Sequence, residues 1–295
     1  MRLHFTEEVE EYAHAVSAFL EAAPAERNVL RTVLEQLRQG TRYSDSISLW
    51  WVVDGERTVG AAQWTPPFPL LLSDMPEAAA HQVAVAVRPR SDAIGTTCSA
   101  VNAPREAAEA VSAALTAQGY RVTVRQSLLL QVCTEVRDVP VPPGRRRIAG
   151  ARDTPLLAKW LVAFGSEART STPRDAERWI ADLVAARHAF VWDIDGEVVS
   201  FAGDREPFGG VVRIGPVYTP AEQRNHGYAR RLVQELTEAA LRRDGVSLCS
   251  LFADAANSVS NSIYAQIGYT TVGEHVELAL DDLRQAVPIG EGNAP

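Results

Sequence analysis

Two stretches of the sequence hold residues whose types and spacing could do chemistry. In the first, an apolar run, Ile214-Gly215-Pro216-Val217-Tyr218-Thr219, leads through a short polar loop into an amphipathic helix. Ala229, Leu232, Val233, Leu236 and Ala240 form that helix's apolar face. A helix N-terminus presents unpaired N–H groups and the positive end of a dipole, so it is a natural seat for phosphate. Gly227 and Ala229 keep the turn free of bulk, and Arg224 and Arg230 add cationic donors. Taken alone, the same pattern serves for an ordinary strand-to-helix connection. The second stretch runs from Asp254 to Tyr269. On a helix, Asn257, Asn261 and Tyr264 fall on one polar face with Ser260 beside it, while Val259, Ile263 and Ile267 fall on an apolar face expected to be core. A solvated face more often carries Lys and Glu than amides and a phenol. An N-cap would account for Asn257 but not for the other two.

Arg224-Asn225-His226-Gly227-Tyr228-Ala229 resembles the Q/R-x-x-G-x-G/A loop of the GNAT superfamily of N-acetyltransferases. Ala256-Asn257-Ser258-Val259-Ser260-Asn261-Ser262-Ile263-Tyr264-Ala265-Gln266-Ile267-Gly268-Tyr269 resembles the same family's A-N-x-x-S-N-x-I-Y-x-x-I-G-Y element, in the expected order. The resemblance covers roughly residues 150–280. It implies acetyl-CoA as cofactor, its pyrophosphate held at Arg224, Asn225, His226, Gly227, Tyr228, Ala229 and Arg230. Its pantetheine arm would lie along Val217, Tyr218 and Thr219, with Asn257, Ser260, Asn261 and Tyr264 also at the cofactor. Pro216 fits this picture, because it cannot donate to a neighbouring strand and sheet pairing should weaken there.

The implied reaction is direct transfer of an acetyl group to an amine. The amine must be neutral to attack, the leaving thiolate needs a proton, and charge on the thioester oxygen needs a donor. The resemblance makes Tyr264 the general acid. An ordinary tyrosine, with pKa ~10, is protonated at neutral pH. A backbone N–H of Val217 or Tyr218 is the expected oxyanion donor. The base is not fixed by the sequence. The candidates are Glu167, after a helix where the family often shapes its acceptor pocket, and Asp204 and Glu206, between two strands that border it; each also reads as a solvated carboxylate, and a water chain could serve instead. His226 is grouped with the phosphate loop; His188 and His275 read as structural.

The elements that must position these residues occur twice. Each half runs helix, helix, strand, Asp-Gly turn, strand, then further helices and strands. Leu49-Trp50-Trp51-Val52-Val53-Asp54-Gly55-Glu56 matches Phe190-Val191-Trp192-Asp193-Ile194-Asp195-Gly196-Glu197, and Ala114–Tyr120 matches Ser262–Tyr269. The reading is α/β (α+β): tandem GNAT-like domains, each a mixed, mostly antiparallel twisted sheet flanked by helices. The expected boundaries are 1–138, a Pro-rich linker 139–147 with a solvated Arg145-Arg146-Arg147, and a catalytic domain 148–295. The first half reads as a degenerate copy that helps wall the acceptor site. Where the second has Arg224 and Gly227, it offers Asp74 and Glu77, which would repel phosphate. Its Trp50, Trp51 and Trp64 are expected to divide between core and contact with the second half.

Composition narrows the partners. The 295 residues are 46% hydrophobic and 22% charged, ordinary for a globular chain, and carry a net charge of −8, which argues against a nucleic-acid partner. Cys98, Cys133 and Cys249 read as buried thiols in a reducing, cytoplasmic compartment rather than a bridge or a metal site. No apolar run is long enough for a membrane span, and Met1 to Glu8 meets acid too early for a signal peptide. The expected partner is a small-molecule or peptide amine, and the expected state a monomer or homodimer. The competing readings are a non-catalytic CoA-binding sensor and transfer of another acyl group, whose extra basic contact the sequence does not locate.

Overall fold

The computed structural model describes residues 1–41, 44–168, 173 and 175–284. The described chain divides into two compact units, one of residues 1–127 together with residues 274–284, the other Leu128–Gly273. The expected division at 139–147 is therefore corrected. The proline-rich stretch lies inside the second unit.

The first unit runs β1 (Arg2–Thr6), α1 (Val9–Ala22), α2 (Asn28–Arg38), β2 (Ser48–Asp54), β3 (Arg57–Trp64), β4 (Leu70–Leu72), α3 (Glu77–Ile94), β5 (Ala100–Pro104), α4 (Arg105–Ala117) and the start of β6 (Tyr120–Cys133). Its sheet has the order β1-β2-β3-β4-β5, and residues His275–Ala279 pair on the far side of β5. Neighbours are antiparallel except β4 and β5. β2 is apolar without alternation because both its faces are covered. Trp50 lies in a core with Trp64, α3 and α4, and Trp51 in a second core with α1 and α2. All three tryptophans are thus interior to this unit, which corrects the expected division of that cluster. α3 runs through Pro89 until Gly95 at φ +64° caps it.

The second unit takes Leu128–Cys133 of β6, then β7 (Arg145–Ile148), α5 (Thr154–Glu167), α6 (Ala176–Ala185), β8 (Ala189–Ile194), β9 (Glu197–Gly203), β10 (Val211–Arg213), β11 (Val217–Tyr218), α7 (Tyr228–Leu241), β12 (Leu248–Asp254), α8 (Ser258–Ile267) and the start of β13 (Thr270–Asp282). The Asp175 side chain caps α6, accepting from the Arg178 N–H. Pairing runs β7-β8-β9-β11 in one group, while β12 pairs with β10 on one side and β6 on the other. The arginine triplet is strand, not linker. Arg146 pairs with Glu235, and Arg147 with Asp153 and Asp193. Both repeats of the Asp-Gly hairpin carry a bulge near the turn.

Candidate active site

The stretch from Val211 to Tyr218 forms two strands, β10 and β11, and the break between them opens the sheet. The parallel ladder between β10 and β12 ends at Arg213 opposite Ser250, with a last bond from the Ile214 N–H to the Ser250 carbonyl (2.8 Å). The chain then crosses Gly215 and Pro216 to β9, where the Gly203 N–H donates to the Pro216 carbonyl (2.9 Å). β11 pairs with β9 alone, while β12 continues to Asp254 with β6 on its far side. Hydrogen-bonded and non-bonded pairs alternate along an antiparallel ladder. With Gly203 and Pro216 a bonded pair, Val217 opposite Ala202 is non-bonded, and its N–H points away from β9 toward the opened edge. The weakened pairing at Pro216 is as the sequence predicts.

The loop after β11 carries two left-handed residues, Asn225 at φ +67° and Gly227 at φ +82°. Gly227 is the N-cap of α7 and has no side chain to satisfy the first turn. Among the described residues, no backbone N–H from 225 to 230 donates to a protein acceptor. Six unpaired amides at a helix N-terminus make a concave anion seat. A Cβ on Gly227 would come within 3.3 Å of the Arg230 guanidinium. Arg230 itself reaches Gln266 (2.6 Å), and its Nε is buried without a partner. His226 stacks on the Tyr228 ring, centroids 5.2 Å apart. Tyr228 and Ala229 thus offer the seat their amides rather than polar side chains, Tyr228 being buried in the core. Thr219 shares its hydroxyl with Ser200 (2.9 Å).

On α8 the expected polar stripe is partly structural. Asn257 caps the helix, accepting from the Ser260 N–H (3.0 Å). Asn261 donates to the Asp254 carbonyl (3.0 Å) and accepts from Gln131 on β6 (2.9 Å), so it braces the turn out of β12. Tyr264 is buried, set edge-on to Tyr269, and burial pushes its hydroxyl up to about 12. Ile267 is core as expected and Ile263 partly so, but Val259 is 63% exposed because the first turn projects beyond the core.

Glu167 ends α5 facing β11. One carboxylate oxygen accepts from the Tyr218 hydroxyl (3.0 Å), the other from Arg224 (2.6 Å). Arg224 also donates from Nε to the Thr219 carbonyl (2.9 Å). Burial, then the hydrogen bond to Glu167, raises the Tyr218 hydroxyl above the usual tyrosine range. Of the other carboxylates, Asp204 is not solvated, contrary to the sequence reading. It is fully buried between His188 (2.5 Å) and Arg243. Exposed Glu206 reaches the other nitrogen of His188 (2.9 Å). Nothing in the local sequence signals this cluster, since its members come from three separate segments.

The equivalent turn of the first unit is built differently. β4 pairs with both β3 and β5, so its sheet stays closed where the second unit's opens. Met75 packs against Gly60, where an added Cβ would come within 2.8 Å of it. Contrary to the sequence reading, Asp74 is not a free repelling charge: it accepts from Nε and Nη2 of a bidentate Arg27 (2.7 and 2.5 Å).

A split sheet with an amide-lined helix N-terminus beside the split offers a place for an extended, anionic ligand. Residues 154–269 match the model of the Acetyltransferase (GNAT) family. Among solved structures the chain is similar to a GCN5-related N-acetyltransferase from Sphaerobacter thermophilus (17% identity, TM-score 0.64, covering 94% of each chain). It is also similar to a GNAT-family acetyltransferase from Colwellia psychrerythraea (11%, 0.58, covering 95% of this chain and 99% of that one). A tandem GNAT protein from the clavulanic acid biosynthesis pathway matches at 14% identity and TM-score 0.54, over 95% of this chain and 98% of its own. At such identities the likeness is one of fold, and it extends through both halves. No curated protein matches the chain. Among the described residues, no helix is long and apolar enough to cross a membrane.

Proposed function

We propose that the protein is an acetyl-CoA-dependent N-acetyltransferase whose acceptor is a primary amine on a small molecule or peptide, working in a reducing, cytoplasmic compartment. The observation that carries this reading is the run of unpaired amides from residue 225 to 230 beside the opened edge of β11. Those amides, with Arg224 and Arg230, fit a diphosphate, and the main chain of Val217, Tyr218 and Thr219 fits an amide-bearing arm. Asn257, Ser260 and Asn261 support the far wall by holding the turn between β12 and α8.

Acetyl-CoA supplies an activated acetyl thioester. The chain supplies the rest. The Val217 N–H is the donor available to a developing oxyanion. The Tyr264 hydroxyl, kept protonated by burial, donates to the leaving sulfur. Glu167 takes the proton from the incoming ammonium so that the amine can attack. The first unit, with its sheet closed and Met75 against Gly60, binds no cofactor of its own.

Thiol release from acetyl-CoA, measured against a panel of primary amines, tests this. Amine-dependent release is expected. Binding of CoA with no release in the presence of any amine would favour the sensor reading instead.

A further inference from the structure

In the structure, Arg224 occupies two roles at once. It opens the loop whose amides form the anion seat, yet its guanidinium is turned to the acceptor side, ion-paired with Glu167 and set 5.9 Å from the Tyr218 ring centroid. A carboxylate beside an aromatic face is a seat suited to an ammonium group. Among the described residues no hydrogen bond engages Nη1 of Arg224, and both side chains of the pair are near half-exposed, so the pair can part without a large structural cost.

We infer that Glu167 and the diphosphate of the cofactor compete for Arg224. In the free protein Arg224 fills the cation seat formed by Glu167 and Tyr218, and it leaves that seat for the diphosphate. The seat then accepts the acceptor's ammonium, and Glu167 is released to take its proton. Arg224 is thereby a positioning residue that couples two sites and favours acceptors that present a cation. This rests on the reading of the 224–230 loop as a CoA site.

CoA, which cannot react, is the probe. Its affinity for the full chain is measured by calorimetry in wild type, Glu167→Gln, Arg224→Gln and the double variant. An exposed ion pair is a weak competitor, so Glu167→Gln should bind CoA about two- to five-fold tighter than wild type. Arg224→Gln should bind more weakly, and adding Glu167→Gln to it should change nothing. Glu167→Gln should also turn over more slowly with any accepted amine, so that tighter cofactor binding accompanies a lower kcat. Unchanged or weaker CoA binding in Glu167→Gln would overturn the inference. So would an equal gain in the Arg224→Gln background, which would mean simple repulsion between Glu167 and phosphate. No CoA binding by wild type would overturn the underlying reading and this inference with it, whereas binding without coupling overturns this inference alone.

Discussion

Tyr264 shows how a single side chain can be tested for chemistry apart from folding. No side chain among the described residues hydrogen-bonds its hydroxyl, so Tyr264→Phe leaves no buried partner unsatisfied. The variant should keep CoA affinity and thermal stability and lose turnover by about 10²–10⁴-fold. Unchanged turnover with chemistry rate-limiting would remove Tyr264 from the mechanism. His275 offers a separate test in the first unit. Burial, only partly opposed by Asp74, lowers its pKa from the ordinary 6.5 to about 4. Between those values the unfolded chain binds a proton that the folded chain does not, so stability is present above pH 6.5 and lost as pH falls toward 4. The loss amounts to about 3 kcal/mol at most. Thermal melts across that window should show a shallower acid slope in His275→Gln than in wild type, and equal slopes would refute the assignment. The residues legible in the sequence were those in contiguous motifs, such as Gly227 and Tyr264. The Glu167–Arg224 and His188–Asp204–Arg243 pairings were not, because each joins segments far apart in the chain.

The element that decides function is the break between β10 and β11, and Pro216 announces it. The matching hairpins and the helix-glycine-strand units were likewise readable, because turn glycines and apolar runs are local signals. β7 was not. Its Arg146 and Arg147 look solvated until Glu235, Asp153 and Asp193 are brought to them by the fold. β1, a short edge strand, owes its form to pairing with distant β2. The brace on α8 gives a prediction at this scale. Asn257→Ala removes an N-cap and should cost about 1 kcal/mol of stability, read as a lowered denaturation midpoint. No change in midpoint would mean that the cap contributes nothing.

At the scale of the molecule, the order of elements foretold two similar halves but not where they divide. Strands β6 and β13 each begin in one unit and end in the other, and nothing in a strand's own residues marks the crossing. A fragment cut at the proline-rich stretch, residues 139–295, would strip β12 of its partner Leu128–Cys133 and leave a buried edge unpaired. It should be insoluble or melt without cooperativity, and a cooperative melt at the full chain's temperature would show the shared strands to be dispensable. The central claim is that one half of this chain, and not the other, holds the cofactor. Equilibrium dialysis of the full chain with CoA tests it most directly, run beside Gly227→Glu, which adds bulk and negative charge in the middle of the amide seat. The account predicts one CoA per chain in wild type and none in the folded variant. Two equivalent sites, or wild-type binding by Gly227→Glu, would contradict it.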